Sequence, residues 1–500
     1  MKNIFEEPSK YIEKLQKIQL IDVKKDIEFP AKSIAVIFLT RYCNLNCEFC
    51  IYKSPLKQKE TSREDEIDGM GIEKCIEFIN RSNIGYLLIS GGGEPFLRTE
   101  QVLNLIEQVN VKDIVIVSNG FWANNYERAL EILTKIKEIQ NKHQKRIIIR
   151  ISIDKWHFEN LGENHIQNII NIYSEFFNND KELKLKFHTI LSDNTIFDIL
   201  KKNKYIYNIK YQKEYSSDNP ILNKSNRQRI FLEFANGYKL EIEFAKLFKP
   251  NLEVDLNNNI LEQINVFMED LLKNQVGNFS TVINSDNTKG LDFLINYNGN
   301  ISTWGNYQTY NSPNIYIDNY EDIINKIYND IISYSFLKEP LENIIKIVEK
   351  VNPIAVNRAI SINIRDYFGM YLLYEKKTLL YYYICILKKY IYEGIIINIE
   401  KIPEDIKKII ELSEIEIIEL YNKSTYTIID QYKEKVFSKD EWDDLFFLIS
   451  KRHFGLNELQ IKDAINFYNK NTNQNYTKYE EFINDNDINR YKRLLKRFNV

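Results

Sequence analysis

Between residues 33 and 190, short apolar runs alternate with amphipathic stretches, the pattern of strands joined by crossover helices. The runs occupy residues 34–39, 86–90, 114–117, 147–153 and 183–190. Most are continuous, so strands buried on both faces are expected. Between the first two, Ile72, Cys75, Ile76 and Ile79 fall at i, i+3, i+4 and i+7, and before the third Val102, Leu105, Ile106 and Val109 repeat the spacing. These stripes predict helices packed on a parallel sheet. The fold class is α/β, and the units suit a partial (β/α)6 TIM-like barrel with its chemistry at the C-terminal ends of the strands.

Beyond Phe197 the pattern changes. Tyr238, Leu240, Ile242 and Phe244 alternate with Lys239, Glu241 and Glu243, and Asn236-Gly237 supplies a hairpin turn, so an antiparallel β arm is expected. Asn298-Gly299 is a second candidate turn. The C-terminal part reads as almost wholly helical, with Pro403 at a first helical position and Ser438-x-x-Glu441 as a capping box. The expected organisation is an N-terminal helical extension over 1–32, the barrel with its arm over 33–325, and an α-helical domain over 326–500.

Composition narrows the function classes. The chain has 500 residues, 67 basic and 70 acidic side chains and a net charge of -3, which gives no clear nucleic-acid signal. Five Cys cannot build a secreted disulfide framework, the N-terminus lacks a signal-peptide core, and the longest apolar run, residues 379–387, is too short to span a bilayer. A cytoplasmic, reducing location without a membrane partner is expected.

Scarcity makes clusters informative, because Gly occurs only 16 times and Cys only 5 times. Cys43, Cys47 and Cys50 form C-x3-C-x2-C directly after the first strand, a spacing that chance would give about 0.0005 times in such a chain. Three soft sulfur ligands in one loop suit an iron-sulfur cluster, or zinc if a fourth ligand comes from elsewhere. Gly91-Gly92-Gly93-Glu94-Pro95 closes the second strand. A tight turn explains it, as does close backbone approach to a ligand. Ser118-Asn119-Gly120 and Ser152-Ile153-Asp154 end the third and fourth strands, where short polar groups face a barrel mouth.

The Cys motif after a first strand, with Phe49 before its last Cys, resembles the radical S-adenosylmethionine superfamily, and Gly91 to Glu94 resembles that family's GGE motif. The resemblance covers residues 40–190. It implies one 4Fe-4S cluster on Cys43, Cys47 and Cys50 and S-adenosylmethionine chelated at the open iron. It further implies the methionine amino end against Gly91, Gly92, Gly93 and Glu94, and Phe49 beside the adenine. Ser118 and Asn119 would meet the cofactor's polar groups, and Ser152 and Asp154 the ribose. An electron donor such as flavodoxin or ferredoxin is implied as partner.

The substrate expectation is a ribosomally made peptide, modified by epimerisation, crosslinking or C–H functionalisation. Gly299 to Gly305 resembles a hairpin of peptide maturases, with Trp304 where they carry a Cys, so no Cys-rich auxiliary cluster domain is expected. A small molecule or nucleotide is the alternative substrate, and a non-catalytic metal-binding protein the alternative class. Of the spare thiols, Cys75 lies on an apolar stripe and reads as packing. Cys385 reads either as a small buried hydrophobe or as a hydrogen-atom donor. His143, His165, His188 and His453 read as packed or solvated, with His188 also a candidate mouth residue.

Overall fold

The computed structural model describes residues 3–21, 33–45, 62–82, 84–177, 180–190, 195–204, 206–213, 228–234, 239–245, 293–303, 312–339, 341–362, 372–395, 397–434, 457–472 and 474–478, together with residues 47, 54, 56, 369 and 481. Ten strands form one sheet: β1 (Ser33–Phe38), β2 (Ile84–Ser90), β3 (Asp113–Ser118), β4 (Arg146–Ser152), β5 (Leu183–Ile190), β6 (Ile206–Lys213), β7 (Gln228–Phe234), β8 (Lys239–Ala245), β9 (Phe293–Ile295) and β10 (Ile301–Thr303). Their order is β10-β9-β1-β2-β3-β4-β5-β8-β7-β6. Strands β1 to β5 are parallel neighbours, β8 adds a sixth parallel strand beside β5, and β9 joins β1 with the same polarity. Their C-terminal ends therefore share one rim, where the sequence places its chemistry.

The crossovers are helical as the spacing predicts. Helix α1 (Pro8–Leu15) precedes the sheet, α2 (Gly69–Arg81) links β1 to β2, α3 (Thr99–Gln108) links β2 to β3, and α4 (Tyr126–His143) links β3 to β4. Helices α5 (Lys155–Leu161) and α6 (Asn164–Ile172) link β4 to β5, and α7 (Thr195–Leu200) follows β5. Asp68 caps α2 by accepting from the Gly71 N–H at 2.8 Å, and Ile72, Cys75, Ile76 and Ile79 are all buried. Val109 is buried too, but it caps the C-terminus of α3.

Two expectations need correction. The strands are not buried equally on both faces. Ile147, Ile149 and Ile151 on β4, Leu183, Leu185 and Phe187 on β5, and Leu240 and Ile242 on β8 are buried, whereas Arg150, Ser152, Lys186, His188, Glu241 and Glu243 between them are half-buried. The continuous run at 147–153 therefore hides a two-residue period. Lys186 Nζ lies 2.9 Å from Glu241 and 2.8 Å from Glu243, and Arg150 lies 4.0 Å from Glu243. Tyr86 on β2 feels the charges of Arg150, Glu243 and Lys186 although β3, β4 and β5 separate β2 from β8. Four steps of a flat sheet would span roughly 19 Å, so the sheet curls toward this charged face.

The second correction concerns the arm. The run expected in the hairpin is β8, which pairs antiparallel with β7 as expected but is not a separate arm: it also lies parallel beside β5 in the main sheet, and β6 pairs antiparallel with β7 at the edge. Tyr238 and the Asn236-Gly237 turn lie outside the described residues. The sheet begins at β10 and ends at β6, with no ladder joining those two among the described residues. The Asn298-Gly299 turn does connect β9 to β10, with Gly299 at φ +82°.

The C-terminal part is helical, beginning at residues 320–329, slightly before the expected boundary. Its central helix, residues 376–392, carries the apolar run, with Leu379 to Ile384, Ile386 and Leu387 buried. The N-terminal extension belongs with this layer. Its α1 packs against that helix, Asn3 Nδ2 donates to Leu420 O at 2.8 Å, and Ser424 Oγ donates to Phe5 O at 2.7 Å. Pro403 stands at the N-cap, one residue before the helix over 404–411, and Ser438 and Glu441 lie outside the described residues. Among the described residues no helix is long and apolar enough to cross a membrane.

Candidate metal centre

Cys43 and Cys47 are half-buried in the segment that leaves β1. Cys50 and Phe49 lie outside the described residues. The Cys43 sulfur accepts from the Leu45 N–H at 3.4 Å and from Asn119 Nδ2 at 3.7 Å, the polar surroundings a ligating thiolate requires. Asn119 Nδ2 also donates to Asn44 Oδ1 at 2.8 Å, while its own Oδ1 accepts from the Phe121 N–H at 3.0 Å. The end of β3 is thereby tied to the cysteine loop. These contacts fit cluster ligation at Cys43. Among the described residues no group of three His, Cys, Asp or Glu side chains is placed to hold a metal ion.

The glycine turn is pressed against the same segment. The Glu94 N–H donates to Tyr42 O at 2.9 Å, and a Cβ on Gly93 would lie 1.7 Å from that oxygen. A Cβ on Gly92 would meet Thr40 O at 3.1 Å and Tyr297 Cδ1 at 3.0 Å. Gly93 is thus required by the approach of two backbones.

Glu94 is buried, and its carboxylate accepts from Ser118 Oγ at 2.8 Å and from the backbone N–H groups of Asn119 at 2.7 Å and Phe96 at 3.0 Å. Burial pushes its pKa up to about 7, against the opposing pull of these hydrogen bonds and of nearby His157. Ser118 Oγ in turn accepts from Trp122 Nε1 and from the Gly120 N–H, both at 3.0 Å. Glu94 and Ser118 therefore lock β2 to β3.

At the end of β4, Ser152 is half-buried and Asp154 is buried. Asp154 caps α5 by accepting from the N–H groups of Trp156 at 3.1 Å and His157 at 3.2 Å, and its other oxygen lies 2.8 Å from His157 Nδ1. Behind it, His165 is fully buried against Phe158, and burial pushes its pKa down to about 4. His188 pairs in register with Ser152 and with Glu243 on the half-buried face, while His143 lies 3.8 Å from Glu107 on the surface and His453 is outside the described residues.

One feature of the centre was not signalled by the sequence. Thr40 Oγ1 donates to Glu66 Oε1 at 2.8 Å, and Glu66 Oε2 accepts from Arg98 Nη1 at 2.5 Å. Glu66 and Arg98 are common residue types in no motif, and only folding brings them together. Cys75 is buried on α2, and burial raises its thiol pKa. Cys385 is not brought to the loop: its electrostatic neighbours are Tyr381, Glu414, Lys350 and Lys388 of the helical part, and burial pushes its thiol up to about 11. Trp304 and Gly305 lie outside the described residues.

Residues 33–153 match a family model described as a 4Fe-4S single cluster domain. That span holds Cys43, Cys47, Cys50 and the Gly91 to Glu94 turn. No curated protein matches the chain. Solved structures similar to the chain include two of one protein. "Native anSMEcpe with bound AdoMet" is 12% identical with a TM-score of 0.34, over 61% of this chain and 83% of that one. A polyhistidine-tagged form of anSMEcpe, also with bound AdoMet, is 11% identical with a TM-score of 0.37, over 79% of this chain and 100% of that one.

Proposed function

We propose that this chain, a radical S-adenosylmethionine superfamily protein by its C-x3-C-x2-C loop and its 4Fe-4S domain, uses S-adenosylmethionine to abstract hydrogen from a substrate. One electron, from a donor such as flavodoxin or ferredoxin, would cleave the bound sulfonium to methionine and a 5′-deoxyadenosyl radical, which takes a hydrogen atom from substrate. The observation that carries the reading is the joint between the two motifs, the bond from Glu94 N–H to Tyr42 O beside Cys43. A cofactor chelated at a cluster and bound by a glycine turn needs those two elements at a fixed separation.

Within this reading the chain's groups divide into ligands, contacts and supports. Cys43, Cys47 and Cys50 hold the cluster. The backbone of Gly91, Gly92 and Gly93 would meet the methionine end, Ser152 would offer a polar group from the end of β4, and Phe49 would serve the adenine as the resemblance implies. Glu94, Ser118, Asn119 and Asp154 have their side-chain polar groups bonded within the chain, so they would act by holding the rim in place.

The preferred substrate is a ribosomally made peptide, undergoing epimerisation or crosslinking and related C–H chemistry. The hairpin resembling that of peptide maturases and the large helical part support it. A small molecule or nucleotide would use the same motifs. The five-Cys composition supports a reducing cytoplasm. Anaerobic reconstitution with iron and sulfide, followed by reduction with S-adenosylmethionine, tests the core of the proposal. A four-iron spectrum and 5′-deoxyadenosine are expected. A cluster without 5′-deoxyadenosine would favour a non-catalytic metal-binding protein, and Cys47→Ala retaining both would show that another loop holds the cluster.

A further inference from the structure

Resting on the function proposed above, we infer that Glu66 is a positioning residue for the metal centre: its carboxylate bridges the cysteine loop to the segment that follows the glycine turn. The inference stands on geometry. Residues 62–67 run beside the exit of β1, where the Ile67 N–H donates to Leu39 O at 3.0 Å and the Arg41 N–H donates to Asp65 O at 2.9 Å. That pairing turns the side chain of Glu66, only 4% exposed, inward. One carboxylate oxygen takes the Thr40 hydroxyl at 2.8 Å, and the same hydroxyl accepts the Tyr42 N–H at 3.0 Å, directly before Cys43. The other oxygen takes Arg98 Nη1 at 2.5 Å, and Arg98 Nη2 donates to Ile67 O at 3.2 Å. Arg98 stands four residues beyond Glu94.

Three links therefore join the motifs. One is the direct backbone bond from Glu94 to Tyr42, another runs from Glu94 through Asn119 to Asn44 and Cys43, and the third is the path Thr40, Glu66, Arg98. The first two links lie on the Cys43 side of the joint, whereas the Glu66 path holds Thr40 and Arg98 on its other side and so constrains the angle as well as the distance. The charge is buried with its partner, so neutralising Glu66 leaves Arg98 short of its counter-ion in a poorly hydrated place. The strain falls on the segment that presents Cys43. Partners of this outer kind typically change metal affinity or activity by about 10- to 100-fold when removed.

The test uses the full chain and the variant Glu66→Gln, which keeps the size of the side chain and an oxygen for Thr40. In metal-free protein, alkylation of Cys43 followed by peptide-mapping mass spectrometry should run faster in Glu66→Gln than in wild type. In reconstituted protein, S-adenosylmethionine affinity, read from the change it causes in the reduced-cluster electron paramagnetic resonance spectrum, should fall by about tenfold or more. The double variant Glu66→Gln/Arg98→Met removes both charges and should recover part of that loss, because no uncompensated cation remains. Leu105→Ala, a core change on α3, serves as the stability control.

Faster Cys43 alkylation and weaker cofactor binding than in Leu105→Ala at matched stability support the positioning role. Wild-type alkylation and affinity in Glu66→Gln overturn it, as do losses no larger than those of the control. Wild-type protein that binds no cluster or no S-adenosylmethionine refutes the proposed function itself, a result separable from the others because it appears before any variant is made.

Discussion

Replacing Gly93 with Ala tests the contact between the two motifs. The added Cβ would stand 1.7 Å from Tyr42 O and 2.3 Å from Tyr42 C. Carbon and oxygen at rest keep about 3.5 Å apart, so the two backbones must part by roughly 1.8 Å. A shift of that size breaks the 2.9 Å bond from Glu94 N–H to Tyr42 O and moves the turn away from Cys43. Neither neighbour can yield cheaply, because both atoms are main chain. Overpacking of this kind destabilises by about 1–3 kcal/mol, and a misplacement near 1 Å lowers rates by about 10²-fold. Reconstituted Gly93→Ala should therefore retain helical circular dichroism while its 5′-deoxyadenosine formation falls by about a hundredfold or more. Gly162→Ala is the matching control, since Gly162 has φ +72° but nothing within 4 Å of the added Cβ. It should lose about 1–3 kcal/mol from backbone strain, since its ψ of -167° lies where only glycine is at ease, and keep its chemistry. Wild-type 5′-deoxyadenosine formation by Gly93→Ala would refute the claim that this contact sets the site.

Glu94 predicts a pH dependence of folding. Its folded pKa, about 7, lies above its ordinary value of 4.5, so the folded chain holds this proton more tightly than the unfolded one. Stability from this group is complete below about pH 4.5 and is lost as pH rises through about 7, by about 3 kcal/mol in all. Urea denaturation of metal-free protein at pH 5 and pH 8 should show that loss relative to Glu94→Gln, whereas a pH-independent difference between the two proteins would sink the assignment. Cys385 predicts slow thiol chemistry. With its pKa pushed up to about 11, only about a thousandth of it is thiolate at pH 8. Its alkylation, mapped by mass spectrometry, should be about a hundredfold slower than that of an ordinary exposed thiol, and an ordinary rate would show that Cys385 stands in a different environment.

How much of this was legible in the sequence follows from which residues carry the information. The cysteine loop and the glycine turn were legible because rare residues cluster within a few positions of one another. The crossover helices were legible because their apolar stripes are local. The ladder of Arg150, Lys186, Glu241 and Glu243 was hidden, since one arginine inside an isoleucine-rich run does not reveal which face it occupies, and its partners come from two other strands. The parallel pairing of β8 with β5 was hidden for a similar reason: Lys239 to Ala245 alternates like any hairpin strand, and only its register against Lys186 and His188 shows its polarity. Glu66 and Arg98 are 32 residues apart and belong to no motif. Docking of Asn3 and Phe5 near Leu420 and Ser424 joins segments 417 and 419 residues apart, a separation that no local pattern can carry.

The division of the sheet's faces explains why the same rim can be rigid and still leave room for a ligand. The helix side is filled by Ile, Leu and Phe, and it carries the stability. On the other face, Lys186 keeps its charge despite desolvation because Glu243 and Glu241 both accept from it, and Glu243 stays ionised against the same desolvation because of Lys186. Replacing such pairs with apolar residues would often be neutral or stabilising. Their presence on the concave side, in the rows of Arg150 and of Ser152, is then poorly explained by stability alone. The carboxylates at the rim make the complementary point. Glu94, Asn119 and Asp154 look from sequence like ligand contacts, yet the side chain of each is bonded within the chain at a strand end, so all three supply rigidity to the rim.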